Sequence, residues 1–219
     1  TLAAAANIFM GQTEAPLVIR PYLAGMTRSE LLALMTSGMA TIAGGVLAVY
    51  VSLGASSGHL LTASVMSAPA ALMISKIMLP EIERSETAHD APLKIERTAA
   101  NSIDALCLGA SDGLTLTLNV IAMLIAFVAV VALANYLLGL VLRPFSVQMT
   151  WQTLLGWVNA PLAWLMGVPA KDCLRVGEIL GERIGLNEFF GYLTLTRQKA
   201  SLDERSFVLA TYALCGFAN

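Results

Sequence analysis

The chain has 219 residues, of which 57% are hydrophobic and 13% charged, with a formal net charge of −2. Soluble domains carry about 25% charged residues, so an ordinary water-soluble globule is excluded, and no basic excess marks a nucleic-acid partner. The three cysteines, Cys107, Cys173 and Cys215, and two histidines, His59 and His89, are too scattered for a zinc site, a disulfide framework or a hydrolase constellation.

In chain order, the apolar arm Leu2–Met10 meets the polar tip Gly11-Gln12-Thr13-Glu14, and the arm behind it reaches Arg20-Pro21 within six residues. Neither arm can cross a hydrocarbon core of ~30 Å. Two short arms around a polar tip predict a re-entrant hairpin over 1–26. Irregular backbone survives at membrane depth only beside protein or a water-filled cavity, so the tip is expected to line a cavity. Thr27-Arg28-Ser29-Glu30 then reads as a capping box, opening two transmembrane helices over 27–79. Leu31–Leu53 carries no charge, but Thr-Ile-Ala-Gly-Gly at 41–45 predicts a break in it; His59–Leu79 carries only Lys76.

A polar connector follows over 80–101, with Glu81, Glu83, Glu86, Asp90 and Glu96 against Arg84, Lys94 and Arg97. Over 102–143 an amphipathic stretch, its Asp104 and Asp112 expected in solvent, feeds the uncharged run Leu114–Leu142, long enough to span a bilayer even when tilted. The segment 144–200 begins as an interfacial piece whose Trp151, Trp157 and Trp164 suit an aromatic belt. It ends in a second polar tip, Asn187-Glu188, before the short apolar arm Phe189–Leu195, which predicts a second re-entrant hairpin. The last segment, 201–219, reads as the start of a partner broken helix. The chain begins at Thr1 without a methionine and stops at Asn219 inside an apolar run, so it is expected to be a segment of a longer protein.

The two tips are related by an offset of 174 positions, from Glu14 to Glu188. The same offset carries the box at Thr27–Glu30 onto Ser201-Leu202-Asp203-Glu204, and the break at Thr41–Gly45 onto Cys215–Asn219. Weak internal symmetry with broken apolar segments at matching places is the signature of a secondary transporter repeat, with its binding site where the interruptions meet. The fold class expected is therefore all-α: a polytopic helical bundle with two re-entrant helical hairpins and broken transmembrane helices in an internal repeat.

Intramembrane carboxylates are costly and by default functional. Glu14 and Glu188, as acceptors, suit a neutral ligand rich in N–H and O–H donors. Gln12 offers donors and an acceptor together, Thr13 either bonds the same ligand or caps the following arm, and Asn219 adds an amide, with Phe217 on the site side. Arg20 is the nearest partner for Glu14; Glu188 is alternatively a structural partner of Arg183 or Arg197. Unwound backbone with a hydroxyl forms a sodium cage in such transporters, which points to Asn7–Met10 and Thr41–Ile42. Alternatively, Asn7 and Thr41 only satisfy neighbouring backbone.

The stretch from Asn7 to Gly54 closely resembles the first re-entrant hairpin and following helix of the concentrative nucleoside transporter family. Leu186-Asn187-Glu188-Phe189 and Cys215-Gly216-Phe217-Ala218-Asn219 resemble its second hairpin and partner helix. The resemblance covers nearly the whole chain. It implies nucleobase contacts from Gly11, Gln12, Thr13 and Glu14 with Val46 beside the base, ribose contacts from Glu188 and Asn219 with Phe217 at the same end, and sodium at Asn7, Met10, Thr41 and Ile42. It further implies a homotrimeric, multi-pass transporter of the plasma (inner) membrane, importing nucleosides by sodium symport with alternating access, and no bound cofactor. Coupling to protons is the nearest alternative, followed by a gate-type module that recognises nucleosides or serves another solute. An enzyme using Glu14 and Glu188 as an acid/base pair is set aside, because no nucleophile–base pair or phosphate loop accompanies them.

Overall fold

The computed structural model describes residues 2–12, 15–16, 19–83, 99–143 and 149–216, and the described residues contain helices and turns without strands. They fall into two compact units, one formed by 1–91 with 152–219 and the other by 92–151.

In the first unit, α1 (Leu2–Ala6) gives way to a turn at Asn7–Met10, and a 3-10 turn covers Arg20–Gly25 with Pro21 at its start. Helix α2 (Arg28–Met39) opens with the predicted capping box: Glu30 N donates to Thr27 Oγ1 at 3.2 Å, and Thr27 N donates to Glu30 Oε2 at 3.0 Å. Two of the orphan N–H groups of a helix start are thereby satisfied. The chain leaves helical geometry after Met39 and resumes in α3 (Gly44–Ser52), so the small residues of 41–45 do interrupt the apolar run. Helix α4 (Ser57–Met78) follows, packed on α2, with α1 against both and α3 against α4. By length and composition Arg28–Ser52 and Ser57–Met78 can each cross a membrane.

The chain re-enters this unit with α6 (Trp151–Leu165), whose three tryptophans are exposed, then α7 (Cys173–Gly185), α8 (Glu188–Arg197) and α9 (Glu204–Leu214). Asn187 caps α8, its Oδ1 accepting from Phe190 N at 3.2 Å. Helices α7 and α8 pack as a hairpin, and α9 lies on both and on α4. Helix α6 approaches α7 so closely that a Cβ on Gly177 would stand 2.5 Å from Gly156 O; only glycine permits that spacing. The core where these elements meet is built on Tyr50, Tyr192, Ile42, Leu60, Ile179, Leu195 and Leu214.

One expectation is corrected here. Ser201 does not open a capping box. It lies in a 3-10 turn, Lys199–Ser201, and α9 starts after Asp203, which makes no side-chain cap bond. The cap comes from elsewhere: buried Asp172 accepts Asp203 N at 3.1 Å and Ser206 Oγ at 2.6 Å. A carboxylate supplied by a neighbouring segment meets the need that the local box would have met.

The second unit holds α5 (Ser102–Leu142), 41 residues without interruption. The expected amphipathic stretch and the apolar run are one helix, about 60 Å long at 1.5 Å per residue. Asn101 caps it, accepting from Asp104 N at 2.9 Å, and Asp104 in turn accepts from Ala100 N at 2.8 Å. Asp112 is exposed on α5, whereas Asp104 is half-buried. The greater part of the connector, residues 84–98, lies outside the described residues, His89 included.

Candidate functional site

The turn after α1 and the break after α2 come together. Asn7 is 1% exposed. Its Nδ2 donates to Thr41 Oγ1 at 2.6 Å and to Ser37 O, while Thr41 Oγ1 donates to Asn7 O at 2.9 Å. Asn7 Oδ1 is buried with no hydrogen-bond partner among the described residues. A buried acceptor left alone costs about 1–3 kcal/mol, so an oxygen-seeking group belongs beside it. Next to this corner, Gly44 N donates to Phe9 O at 3.1 Å, and a Cβ on Gly44 would lie 2.9 Å from that oxygen. The turn before the first tip is therefore stitched to the start of α3. Of the other two predicted cation ligands, Met10 is partly exposed in the turn, its N bonded to Ala6 O, and Ile42 is fully buried in the core. Their side chains are not brought to Asn7 and Thr41 by any hydrogen bond.

Gly11 is buried and its carbonyl accepts from Ala15 N at 3.0 Å. Gln12 is half-buried, its Cβ 3.8 Å from where a Cβ on Gly38 of α2 would stand. Thr13, Glu14, Phe217 and Asn219, four of the predicted ligand contacts, lie outside the described residues.

Val46 sits half-buried on α3 against the core. One turn on, Tyr50 is fully buried and its hydroxyl donates to Glu188 Oε1 at 3.3 Å. Glu188, the first residue of α8, is 6% exposed, and its Oε2 has no hydrogen-bond partner among the described residues. Among the described residues Glu188 forms no direct ion pair with the alternatives weighed for it: Arg183 donates its Nε to Gly216 O at 3.0 Å and reaches Glu188 only through its field, and Arg197 is exposed. The Tyr50 ring stacks on Tyr192 with centroids 4.1 Å apart, and Tyr192 donates its hydroxyl to Thr211 O at 2.9 Å. The sequence reading missed both tyrosines. Their signal was spacing, since Tyr50 follows Val46, and Tyr192 follows Glu188, by one helical turn.

Polar clamps tie down the starts of the two partner helices. At α2, Thr27 Oγ1 donates to Glu81 Oε2 at 2.8 Å, Lys76 Nζ reaches Ser29 Oγ at 2.7 Å and Glu81 at 3.3 Å, and Ser29 donates to Leu79 O at 2.7 Å. The Thr27 hydroxyl above all, then Lys76, holds the Glu81 carboxyl below the usual carboxylate range. At α9, the Ser206 hydroxyl first and the Asp203 N–H next hold Asp172 low, and Lys171 pairs with Asp203 at 2.8 Å. Away from both, His59 Nδ1 lies 3.3 Å from Tyr212 Oη.

Comparison with known proteins bears on this arrangement. Residues 59–219 match the family described as Na+ dependent nucleoside transporter C-terminus, and residues 1–57 match the one described as Gate, nucleoside recognition. The chain is 45% identical over 221 residues to the uncharacterized transporter YutK of Bacillus subtilis (strain 168), covering 100% of this chain and 55% of that protein. It is 43% identical over 236 residues to solute carrier family 28 member 3 of Eptatretus stoutii and 42% identical to sodium/nucleoside cotransporter 2 of Rattus norvegicus, spanning 35% and 36% of them. The chain thus spans about half or less of these relatives. Among solved structures, CNTnw in an inward-facing substrate-bound state superposes with a TM-score of 0.85 at 41% identity, covering 99% of this chain and 52% of that one. A variant of CNTnw in an intermediate state superposes at 0.87 with 40% identity, covering 99% and 53%.

Proposed function

This chain belongs to the Na+-dependent nucleoside transporter family, and we propose that the protein it comes from is a secondary active transporter importing nucleosides by sodium symport. The first tip, with Gly11, Gln12, Thr13, Glu14 and Val46, reads the base. Glu188 and Asn219 hold the ribose, with Phe217 beside them.

The observation that carries this reading is Glu188: a buried carboxylate whose Oε2 has no donor among the described residues. Such an oxygen is expensive unless a ligand supplies the O–H or N–H it lacks, and ribose hydroxyls are donors of that kind. The coupling ion has a matching place. Asn7 O, Thr41 Oγ1 and Ser37 O are hard oxygens at a helix break, of the kind a sodium ion takes in transporters with broken helices; Met10 and Ile42 would add backbone oxygens. Because the turn before the first tip is bonded to the start of α3, an ion there orders the same backbone that presents Val46. The structures described for CNTnw include inward-facing, outward-facing and intermediate states, which supports alternating access as the transport cycle. A homotrimer in the plasma (inner) membrane completes the reading.

Labelled uridine uptake by the full-length protein in proteoliposomes, with sodium and proton gradients imposed separately, tests it. Uptake that follows the sodium gradient and falls in Glu188→Gln is expected. Uptake driven by protons alone would remove the sodium site, and no uptake under either gradient would return the gate-type module to first place.

A further inference from the structure

We propose that Tyr50 is a positioning residue for nucleoside selectivity: its hydroxyl fixes one carboxylate oxygen of Glu188 so that the other, Oε2, meets the ribose hydroxyls. This rests on the reading of Glu188 as the ribose carboxylate.

The terminal torsion of a glutamate is broad and roughly two-fold, so a carboxylate facing a cavity does not by itself present one oxygen in one direction. A donor on Oε1 removes that freedom. Tyr50 supplies the donor at 3.3 Å, long for an O–H···O bond but of the kind that tightens once a ligand engages the second oxygen. The ring delivering it cannot swing away. Tyr50 is fully buried and stacked on Tyr192, which is fixed by its own bond to Thr211 O, and the Phe189 ring lies beside it with centroids 6.5 Å apart. Arg183 stands near enough to act on the carboxylate electrostatically, yet its Nε is committed to Gly216 O.

The donor and the acceptor come from opposite halves of the repeat. Tyr50 is on α3, the continuation of the first broken helix, and Glu188 opens the second arm of the second hairpin. Val46 and Tyr50 lie one turn apart on α3. One short helix therefore places a side chain for the base and a donor for the ribose carboxylate, and α3 itself starts at the Gly44–Phe9 stitch beside Asn7 and Thr41. Glu188 is aimed only when the two halves are together.

The test is equilibrium binding of uridine and of 2′,3′-dideoxyuridine to the full-length protein, each variant scored by the ratio of the two affinities. A ratio within one variant is unaffected by any loss of folded protein. Tyr50→Phe keeps the ring and its stacking. It is expected to lower the preference for uridine roughly tenfold, as removal of a hydrogen bond to a charged group does, through weaker uridine binding with the dideoxy affinity retained. Added to Glu188→Gln, it is expected to change the ratio no further. Equal loss for both ligands in Tyr50→Phe, or an unchanged ratio, would overturn the role of Tyr50 provided Glu188→Gln collapses the preference. If Glu188→Gln leaves the preference intact, the ribose reading itself is overturned and this proposal with it.

Discussion

Gly216, just past the end of α9, lies against Met39, the last residue of α2. A Cβ on Gly216 would stand 2.9 Å from Met39 O and 3.0 Å from Ala40 O, and Gly216 has φ +135°. Met39 ends α2, so those oxygens belong to the unpaired carbonyls of a helix C-terminus, which carries the negative end of the helix dipole. Gly216 O in turn accepts from Arg183 of α7. Helix α7, the turn after α9 and the break after α2 are thus joined at Gly216.

Gly216→Ala is expected to disrupt that junction. The φ alone costs on the order of 1–3 kcal/mol for a residue with a Cβ, and the methyl meets backbone carbonyls that cannot rotate aside. A melting temperature lowered by several degrees (about 2–4 °C per kcal/mol in a domain of this size), together with loss of uridine uptake, is the expected outcome. Full uptake at unchanged stability would mean that the two breaks separate freely during the cycle.

Thr41→Val tests the ion corner. Valine keeps the shape but removes the hydroxyl that donates to Asn7 O and accepts from Asn7 Nδ2. Two buried polar groups lose a partner, worth about 1–3 kcal/mol. The sodium concentration giving half-maximal uptake is expected to rise roughly tenfold, with uridine affinity at saturating sodium retained. An unchanged sodium dependence would leave Asn7 and Thr41 as a purely structural pair.

What the sequence could show depended on how far each partner lay along the chain. The Thr27 capping box was readable because its donors and acceptors sit within four residues. The break before Gly44 was readable because small residues inside an apolar run are a local signal. The cap of α9 was not, since its acceptor, Asp172, lies 31 residues before Asp203; the local Ser201 box was a reasonable pattern overridden by a distant carboxylate. The amphipathic stretch holding Asp104 and Asp112 was expected to feed the apolar run, and α5 carries both as one helix through Gly109 and Gly113, continuity outweighing the low helix propensity of glycine. At the site, the polarity of Glu188 announced it, but its donor Tyr50 is 138 residues away and looks like one more apolar position of α3.

Asp172 gives the fold a dependence on acid. The Ser206 hydroxyl, then the Asp203 N–H, favour its charged form and hold the carboxyl below its ordinary value near 4. A depressed folded value means that the unfolded chain takes up the proton first on acidification. The contribution is therefore complete above about pH 5, declines as pH falls through the unfolded value near 4, and is gone below the folded one. Ser206→Ala removes the leading cause and a bond to a charged acceptor, worth about 1 kcal/mol. Its melting temperature is expected to lie about 2–4 °C below that of the parent at pH 7, with the gap narrowing as the pH is taken below 4. Thermal unfolding of the two proteins across that range measures it, and a gap that stayed constant down to pH 3 would show that Ser206 acts through packing and not through the carboxylate.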